Sequence, residues 1–407
     1  TTMNVVFLSP GFPAEMPHFT QALAQVGVRV FGVGDAPVQS LPDEARQALT
    51  DYLQVKDLWD EEATVQAIAK WMGARSVDRV ECLWEPGVVL TAKLRQAFEL
   101  PGLSIEQSVA FRDKEIMKQV LDDAGVRTPR HARATSEQEL REAAERIGFP
   151  LIIKPIAGAG SADTYPVHSS EELDEAVQLT RHVPEVSVEE FIEGEELTFD
   201  TICAGGDVLF HNVSWYRPKP LISRLNPWIS SQAICLRDTG VHDVQKGRDL
   251  GHAVLRALGF QSGFTHMEWF LTPDGEAVFG EIGARAPGAR LVHAMNYSCD
   301  GDLFVAWAEA VCYGRVSQDL SKKYNAALVF KRAEGEGKIK AYEGLDSILA
   351  QHGEHIVHID LTPIGQPKRD WRKVVVGDGW IVARHPNLEV VSEIANELCA
   401  NFRITTA

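Results

Sequence analysis

Two glutamates face each other in a β-hairpin that the sequence predicts. The apolar runs GFTHMEWFL and EAVFGEIG flank the turn signal Pro-Asp-Gly at residues 273–275. With the turn centred after its aspartate, Glu268 pairs with Glu281 and Phe270 pairs with Phe279. Like charges directly opposite each other destabilise a sheet, so this pair requires a shared proton, a basic neighbour or a bound cation. Oxygen ligands suit Mg²⁺, and the alternative is a solvent-exposed strand face with two ordinary glutamates.

The residues around the hairpin favour the cation. Phe270 and Phe279 share the face of the glutamates in this register, which places the carboxylates on a largely apolar surface. Arg285 follows Glu281 by four residues in the irregular segment GARAPG. A guanidinium beside a metal-binding pair suits phosphoryl transfer, because negative charge then develops on several oxygens at once.

A lysine and a glycine-rich stretch form a second candidate site. Lys154 ends the predicted buried strand PLIIKPI, and the small-residue segment GAGSADT follows. Gly158, Gly160 and Ser161 allow backbone N–H groups to approach phosphate oxygens, while the lysine supplies a positive charge. The segment is not a Walker A loop, because no G-K-[ST] closes it. A surface turn is an equally good interpretation of this stretch alone.

An acidic connector is the third candidate. In VSVEEFIEGEELTFD, Glu189 ends an alternating strand and Glu196 follows seven residues later. A short connector between two lobes can offer backbone N–H and C=O groups to an adenine edge, and its carboxylates can accept from the adenine amine and ribose hydroxyls. Five crowded glutamates are also typical of an acidic surface loop, which is the alternative.

The elements that must position these residues fall into three parts. The first hundred residues alternate strands and helices, which predicts a parallel, doubly wound sheet whose ligands lie near residues 9–13 and Glu85. FRDKEIMKQVLDDAG begins a new helix, and another helix is expected from Glu137 to Ile147. Residues 185–312 are predicted to be mostly antiparallel strands. The last ninety residues or so are predicted to form a mixed α+β module.

Composition excludes several classes of protein. The 407 residues suggest two or three domains. A net charge of −17 without a basic stripe argues against a nucleic-acid partner. The six cysteines are widely spaced, which predicts reduced thiols in a cytoplasmic protein. Apolar runs shorter than ~18–20 residues argue against a membrane partner. The start TTMNVVFLSPGFP predicts a first strand and not a signal peptide.

Taken in order along the chain, these motifs resemble the ATP-grasp superfamily. Lys114, Lys154, the glycine-rich stretch, the Glu-Glu-Phe-Ile connector and the glutamate hairpin carry the resemblance. It implies α/β and α+β architecture: an ATP-grasp fold preceded by a Rossmann-like domain and followed by a small α+β domain. The implied divisions are an amino-terminal unit (1–110), an ATP-grasp domain (111–312) with a small lobe (111–190) and a large lobe (191–312), and a carboxy-terminal module (313–407).

The resemblance also implies roles for individual residues. Lys114 and Lys154 would bind phosphates, and residues 158–164, with Gly158, Gly160 and Ser161, would close over them. Glu189 would accept from the adenine amine, the backbones of Glu190 and Ile192 would contact the ring, and Glu196 would bind the ribose. Glu268 and Glu281 would hold Mg²⁺, for which Mn²⁺ can substitute, and Arg285 would steady an acyl phosphate.

One position departs from the family. Many members carry Asn two residues after the second metal-binding glutamate, where this chain has Gly283. The metal would therefore have one protein ligand fewer. The sequence E-I-G-A-R resembles the branch of carboxylate–amine ligases that includes bacterial L-amino-acid (dipeptide) ligases.

The resemblance implies that ATP activates a small carboxylate as an acyl phosphate, which an amine then attacks with release of phosphate. The carboxylate would be an amino acid or a related acid. Two alternatives stay open: a bicarbonate-activating enzyme of the biotin-carboxylase type, and a nucleotide-binding protein without turnover. The identity of both substrates and the oligomeric state, including a homodimer, are also open.

The segment 214–232, SWYRPKPLISRLNPWISSQ, is a candidate substrate pocket or lid. It is rich in aromatic and cationic side chains and lacks regular periodicity, although a plain surface loop with partly buried stems fits as well. The candidate substrate residues are Arg217, Lys219, Arg224, His266 and Arg290. A structural histidine is the alternative for His266.

Overall fold

The amino-terminal unit contains a parallel sheet. The computed structural model describes residues 1–157 and 162–407. In this unit the elements are β1 (Asn4–Leu8), α1 (Met16–Gln25), β2 (Arg29–Gly34), α2 (Asp43–Ala48), β3 (Asp51–Gln54), α3 (Glu61–Met72), β4 (Arg79–Glu81) and α4 (Val88–Ala97). The strand order is β3-β2-β1-β4, and every pairing is parallel. The predicted parallel sheet is confirmed; β3 and α3 were not predicted, and β3 is a short strand without an apolar run.

The small lobe is a four-stranded antiparallel sheet with helices. Its elements are α5 (Ile105–Arg112), α6 (Lys114–Asp123), β5 (His131–Ala134), α7 (Glu137–Ile147), β6 (Leu151–Pro155), β7 (Tyr165–Val167), α8 (Ser170–Leu179) and β8 (Val186–Glu190). The strand order is β5-β8-β6-β7. Asp113 separates α5 from α6, because its extended backbone breaks the helix while its side chain accepts from the first amides of α6. Lys114 therefore stands at the first turn of α6.

The large lobe contains more helix than the sequence predicted. Its elements are β9 (Glu195–Ala204), β10 (Asp207–Asn212), β11 (Ser214–Arg217), α9 (Pro220–Leu225), β12 (Gln232–Cys235), α10 (His242–Leu258), β13 (Gly263–Leu271), β14 (Ala277–Gly283), α11 (Leu291–Cys299) and α12 (Leu303–Tyr313). The prediction of mostly strands was wrong for α10, α11 and α12. In α12 nearly every residue is apolar and buried, so its sequence lacks the periodicity that distinguishes a helix from a buried strand.

The carboxy-terminal module shares its sheet with the large lobe. Its elements are β15 (Asn325–Lys331), β16 (Ile339–Glu343), α13 (Leu345–His352), β17 (Ile356–Leu361), β18 (Gly379–His385), α14 (Leu388–Asn401) and β19 (Arg403–Thr406). One nine-stranded sheet follows the order β14-β13-β9-β11-β12-β15-β18-β17, with β10 beside β9. The predicted boundary at residue 312 thus separates two parts of one sheet, not two sheets.

A shared core joins the amino-terminal unit to this sheet. The ring of Trp307 on α12 lies 5.7 Å from Phe7 and 5.3 Å from Phe19. All three side chains are fully buried in one apolar cluster. Within the described ranges, no helix has the length and apolar character needed to cross a membrane.

The glutamate hairpin has the predicted central pair but a different register beyond it. Glu268 is opposite Glu281, whereas Phe270 is opposite Val278 and not Phe279. A bulge in β14 causes the shift, because Glu281 and Phe279 are opposite two consecutive residues of β13, Glu268 and Trp269. The extra residue, Gly280, approaches the partner strand closely, since a Cβ there would lie 2.8 Å from the Glu268 carbonyl oxygen.

The bulge also changes the surface around the glutamates. Phe279 pairs with Trp269, and both side chains are fully buried in the core on the opposite face of the sheet. The prediction that Phe279 shares the glutamate face was therefore wrong. Polar residues surround the glutamates, because Thr198 of β9 is opposite Glu268 and Asp200 is opposite His266.

Candidate active site

Three carboxylates meet where β9, β13 and β14 lie side by side. Glu268 and Glu281 are about one quarter exposed, at 25% and 26%. Glu196, opposite Phe270 on β9, is buried and hydrogen-bonded to Glu268. Burial and the negative charge of Glu268 raise the pKa of Glu196 well above its ordinary value. The raised pKa favours the protonated form of Glu196, which can donate a hydrogen bond to Glu268.

His266 is the counter-ion of this carboxylate group. Its Nδ1 lies 2.5 Å from Asp200 Oδ1 and its Nε2 lies 3.3 Å from Glu268 Oε1. Burial alone would lower the pKa of His266, but Asp200 and Glu268 outweigh burial and raise this pKa to about 9. Asp200 is itself fully buried and accepts hydrogen bonds from Thr198 and Asn212. The imidazolium stabilises the ionised form of Glu268, whose pKa falls to about 2 despite burial.

Asp200 was missed by the sequence analysis. The available signal was the alternation of Glu196, Thr198 and Asp200 on β9, which places all three on one face of the strand. The register of β9 against β13 decides that this face is the one carrying His266 and Glu268.

Two lysines of the small lobe face the hairpin. Lys154 forms a close ion pair with Glu189 and lies 3.6 Å from Glu281 Oε2. Burial alone would lower the pKa of Lys154, but Glu189 and Glu281 raise it. Lys114 is buried at the start of α6, and burial lowers its pKa although Glu281 opposes this effect. Lys154 thus contacts a carboxylate of each lobe, Glu189 of the small lobe and Glu281 of the large lobe.

A cavity lies between the small lobe, the hairpin and the amino-terminal unit. The charged side chains that line it are Glu85, Arg112, Lys114, His266, Glu281 and Arg285. Phe111 and Ile282 contribute apolar wall. The cavity therefore offers cations for an anionic group beside carboxylates that can hold a metal.

Arg285 is fixed by a carboxylate from the amino-terminal unit. Its Nε donates to Glu85 Oε2 at 2.7 Å, and Arg112 Nη1 lies 3.5 Å from Glu85 Oε1. Glu85 follows β4, at the carboxyl end of the parallel sheet where a ligand was expected. A Cβ at Gly283 would lie 3.0 Å from Glu85 Oε2 and 3.2 Å from Arg285 Cγ. The ion pair thus fills the space that an asparagine would need at this position.

The acidic connector is held by two lysine side chains and by the backbone of Arg130. Glu189 lies between Lys154 and Lys118 Nζ, the latter 3.4 Å from its Oε2. Burial alone would raise the pKa of Glu189, but the two lysines lower it to about 2. The backbone N–H of Glu190 donates to Arg130 O at 2.7 Å, so this amide is already engaged.

Comparison with known proteins agrees with this geometry. Residues 111–215 match the profile of the ATP-grasp domain. The chain has an ATP-grasp domain. This match and the structural similarities below confirm the predicted fold class and the resemblance to ATP-grasp carboxylate–amine ligases.

Relatives of the ATP-grasp domain include several ligases. An L-arginine-specific L-amino acid ligase of Bacillus subtilis is 26% identical over 218 residues, covering 52% of this chain and 52% of that protein. A D-alanine–D-alanine ligase B of Xanthomonas campestris is 34% identical over 171 residues, covering 37% of this chain and 52% of that protein. The chain spans about half the length of these curated relatives.

Solved structures match the whole chain. The L-amino acid ligase from Bacillus licheniformis has a TM-score of 0.79 at 20% identity and covers 100% of this chain and 99% of that one. An N5-carboxyaminoimidazole ribonucleotide synthetase from Thermotoga maritima has a TM-score of 0.72 at 18% identity and covers 100% of both chains. At such identities these similarities describe the fold alone.

The remaining parts of the predicted ATP site are placed as follows. Gly158, Gly160 and Ser161 lie outside the described residues. Ile192 is buried in the connector between β8 and β9.

Among the described residues, no group of three or more His, Cys, Asp or Glu side chains is arranged to hold a metal ion by itself. The oxygen donors of Glu268 and Glu281 suit Mg²⁺ if the nucleotide and water complete its shell.

The segment 214–232 is more regular than predicted. β11 pairs with β12 over four residues, and α9 lies between them, although the sequence of the segment lacks regular periodicity. Tyr216 of β11 faces the carboxylates. Burial and the charges of Glu268 and Asp200 raise its pKa well above the ordinary value. Strand alternation turns its neighbours Trp215 and Arg217 to the other face.

The five candidate substrate residues are not gathered in one place. Arg217 stacks on Trp215 at 4.6 Å and donates to Asn396 of α14, and Arg224 is exposed on α9. Lys219 Nζ lies 6.0 Å from the ring centroid of Phe191.

His266 lines the cavity, whereas Arg290 caps α11. Arg290 has a left-handed backbone (φ +63°), and its N–H donates to Glu15 Oε1 at 2.8 Å. Its guanidinium lies 5.5 Å from the ring centroid of Trp380. Of the five, His266 is the one among the residues lining the cavity.

Proposed function

We propose that this chain is an ADP-forming ligase that activates a small carboxylate with Mg·ATP and joins it to an amine. One observation carries the proposal: Glu268 and Glu281 stand opposite each other, with Lys154 of the other lobe 3.6 Å from Glu281. This arrangement suits a metal–nucleotide complex between the lobes. The names of the similar proteins support ligase chemistry, and an amino acid or a related acid is the proposed carboxylate.

Each side chain has a role in the proposed reaction. Lys114 and Lys154 neutralise phosphate oxygens, and Arg285 balances the charge that develops as a carboxylate oxygen attacks the γ-phosphorus and ADP leaves. Glu268 and Glu281 would hold Mg²⁺, or Mn²⁺ in its place, which supplies further charge neutralisation when bound. The amine then attacks the acyl carbon of the acyl phosphate, loses a proton, and phosphate departs.

Glu85 and His266 prepare the site for this chemistry. Glu85 fixes the Arg285 guanidinium through its Nε at 2.7 Å, which leaves other N–H groups to donate to a substrate. The His266 imidazolium stabilises Glu268 as an anion before any metal binds. All six cysteines are free thiols, which supports the proposed cytoplasmic location.

The test is a phosphate-release screen with Mg·ATP and small carboxylates, including amino acids singly and in pairs and bicarbonate. ADP formation that requires both an acid and an amine supports the proposal. ADP formation with bicarbonate and no amine would instead favour a bicarbonate-activating enzyme. Magnesium-dependent ATP binding without ADP formation over the whole panel would favour a non-catalytic nucleotide-binding protein.

The metal assignment predicts the effect of Glu281→Gln. We expect this variant to lose activity by at least ~10²–10³-fold, because charge stabilisation of the transition state is lost. Glu276→Gln is the matched control, since Glu276 lies in the same hairpin but is exposed and pairs with Arg127. Steady-state ADP release measures both variants. Unchanged activity in Glu281→Gln would overturn the metal assignment.

A further inference from the structure

Lys118 is a buried lysine that the proposed reaction has not used. It lies on α6 one turn after Lys114, and its side chain is 1% exposed. Its Nζ donates to Lys114 O at 3.2 Å and to Ser187 Oγ at 3.4 Å. The same Nζ is 3.4 Å from Glu189 Oε2 and 3.5 Å from Glu115 Oε1. An ammonium this deeply buried is costly unless its partners are fixed around it.

We propose that Lys118 is a positioning residue for nucleotide binding, because it shares the Glu189 carboxylate with Lys154. This inference rests on the proposed function. Lys118 interacts with Oε2 of Glu189, while Lys154 interacts with Oε1. A carboxylate that pairs with two ammonium groups holds each of them less tightly than a carboxylate that pairs with a single ammonium group. Lys154 therefore remains able to turn from Glu189 toward a phosphate near Glu281.

The same ammonium connects the two lysines expected to bind phosphate. Through the carbonyl of Lys114 it holds the first turn of α6, and through Ser187 and Glu189 it holds β8. β8 is hydrogen-bonded to β6, where Lys154 is opposite Ser187. Lys118 thus sets the position of α6 relative to the strand that carries Lys154.

A purely structural lysine would behave differently from a positioning one. Loss of a structural lysine lowers the free energy of unfolding but leaves the nucleotide affinity of the folded fraction unchanged. Loss of a positioning lysine also weakens nucleotide binding in the folded protein, and it does so through Glu189. The two roles are therefore separated by the coupling between Lys118 and Glu189.

The experiment is calorimetric titration of the full chain with Mg²⁺ and a non-hydrolysable ATP analogue. We expect Lys118→Met to weaken binding of the analogue at least about tenfold, because residues in one charge network are energetically coupled. In the Glu189→Gln background, the same substitution should change the affinity less than about twofold, because the carboxylate charge to be shared is gone. Lys70→Met is the control, since Lys70 is exposed on α3.

Every outcome bears on the proposal. If folded Lys118→Met binds the analogue as the wild type does, or if the two substitutions act additively, Lys118 is not a positioning residue. Should Lys118→Met alone fail to fold, the double variant Lys118→Met/Glu189→Gln is compared with Glu189→Gln, because removing both partners of a buried pair is better tolerated than removing one. If the wild type does not bind the analogue, the proposed function fails instead.

Discussion

At the scale of single residues, the site is a set of like charges, and two of them lie close to a cationic side chain. Glu268 has the His266 imidazolium, and Glu281 has Lys154 at 3.6 Å. Burial and the charge of Glu268 raise the pKa of Glu196, which disfavours a third negative charge beside this pair. The repulsion between Glu268 and Glu281 is thus compensated before any metal binds.

Gly283 gives a prediction at this scale. In Gly283→Asn the new side chain would collide with the Glu85–Arg285 ion pair, whose nearest atoms lie 3.0 Å and 3.2 Å from a Cβ at this position. We expect ADP release to fall by about ten- to a hundredfold, as for a ~1 Å displacement of a catalytic group. Gly288→Asn is the control, because a Cβ there meets no atom within 4 Å. Wild-type turnover in Gly283→Asn would contradict the packing argument.

At the scale of elements, the carboxylate-bearing strands depend on α10. Gly247 and Gly251 are one helical turn apart on α10, and a Cβ at either would overlap the ring of Trp269 or of Phe199. These aromatic side chains belong to β13 and β9, the strands that carry Glu268 and Glu196. The close approach of helix to sheet therefore fixes the strands on whose other face the site lies.

We predict that Gly247→Ala destabilises the protein. Overpacking against Trp269 should cost about 1–3 kcal/mol in the free energy of unfolding. This outweighs the ~1 kcal/mol that alanine contributes through helix propensity. Urea denaturation measures the difference, with Gly353→Ala as the control, since Gly353 has helical backbone angles and open space around a Cβ. Equal or higher stability of Gly247→Ala would show that α10 does not pack as described.

The attachment of α6 to the small lobe predicts a pH dependence. His131 of β5 lies 2.6 Å from Glu115 and 2.7 Å from Asp122, both on α6. Burial and Lys118 act to lower the pKa of His131, but the two carboxylates outweigh them and raise it above the ordinary 6.5. The charged His131 therefore stabilises the folded protein. This stabilisation is complete below pH 6.5, and it is lost as the pH rises through the raised pKa of His131 in the folded protein.

The measurement is the thermal midpoint against pH for wild type and His131→Gln. We expect the difference between the two proteins to be largest below pH 6.5 and to shrink above it. His168→Gln is the control, because His168 is 55% exposed and pairs with Glu172 in the first turn of the helix that follows it, α8. A difference that stays constant across the pH range would show that the charge of His131 does not hold α6.

At the scale of the whole molecule, the large lobe and the carboxy-terminal module form one structural body. β12 pairs with β15 from Gln232–Val329 to Cys235–Ala326, and these residues are buried. The core on one face of the sheet includes Trp380 from the module together with Phe7 from the amino-terminal unit. The arrangement differs from three independent domains joined by linkers.

A chain that ends at residue 314 tests this continuity. It would expose the edge of β12 and remove three of the nine strands of the sheet, β15, β17 and β18. We therefore expect it to aggregate or to be digested rapidly by protease. A chain lacking only the exposed Thr1 and Thr2 is the control. A soluble, protease-resistant chain of 314 residues would contradict the shared sheet.

The sequence by itself determined the local features. Hairpin signals predicted the Glu268–Glu281 pair, and alternation of strands and helices predicted the parallel sheet. The order of the lysines, the glycine-rich stretch, the acidic connector and the glutamate hairpin carried the resemblance to the superfamily. These features depend on neighbours in the chain, which composition and periodicity record. The buried helix α12 was missed because nearly all of its residues are apolar, which leaves no periodicity to indicate a helix.

Only the tertiary structure decided which distant residues meet. Three contacts join residues that are far apart in the chain: Asp200 with His266 (66 residues apart), Glu85 with Arg285 (200 residues) and Lys118 with Glu189 (71 residues). Such contacts follow from strand register and domain packing, which a single sequence does not record. The Gly280 bulge likewise preserved the Glu268–Glu281 pair while it moved Phe279 into the core. The glutamates were identifiable from sequence, but their counter-ions were decided by the fold.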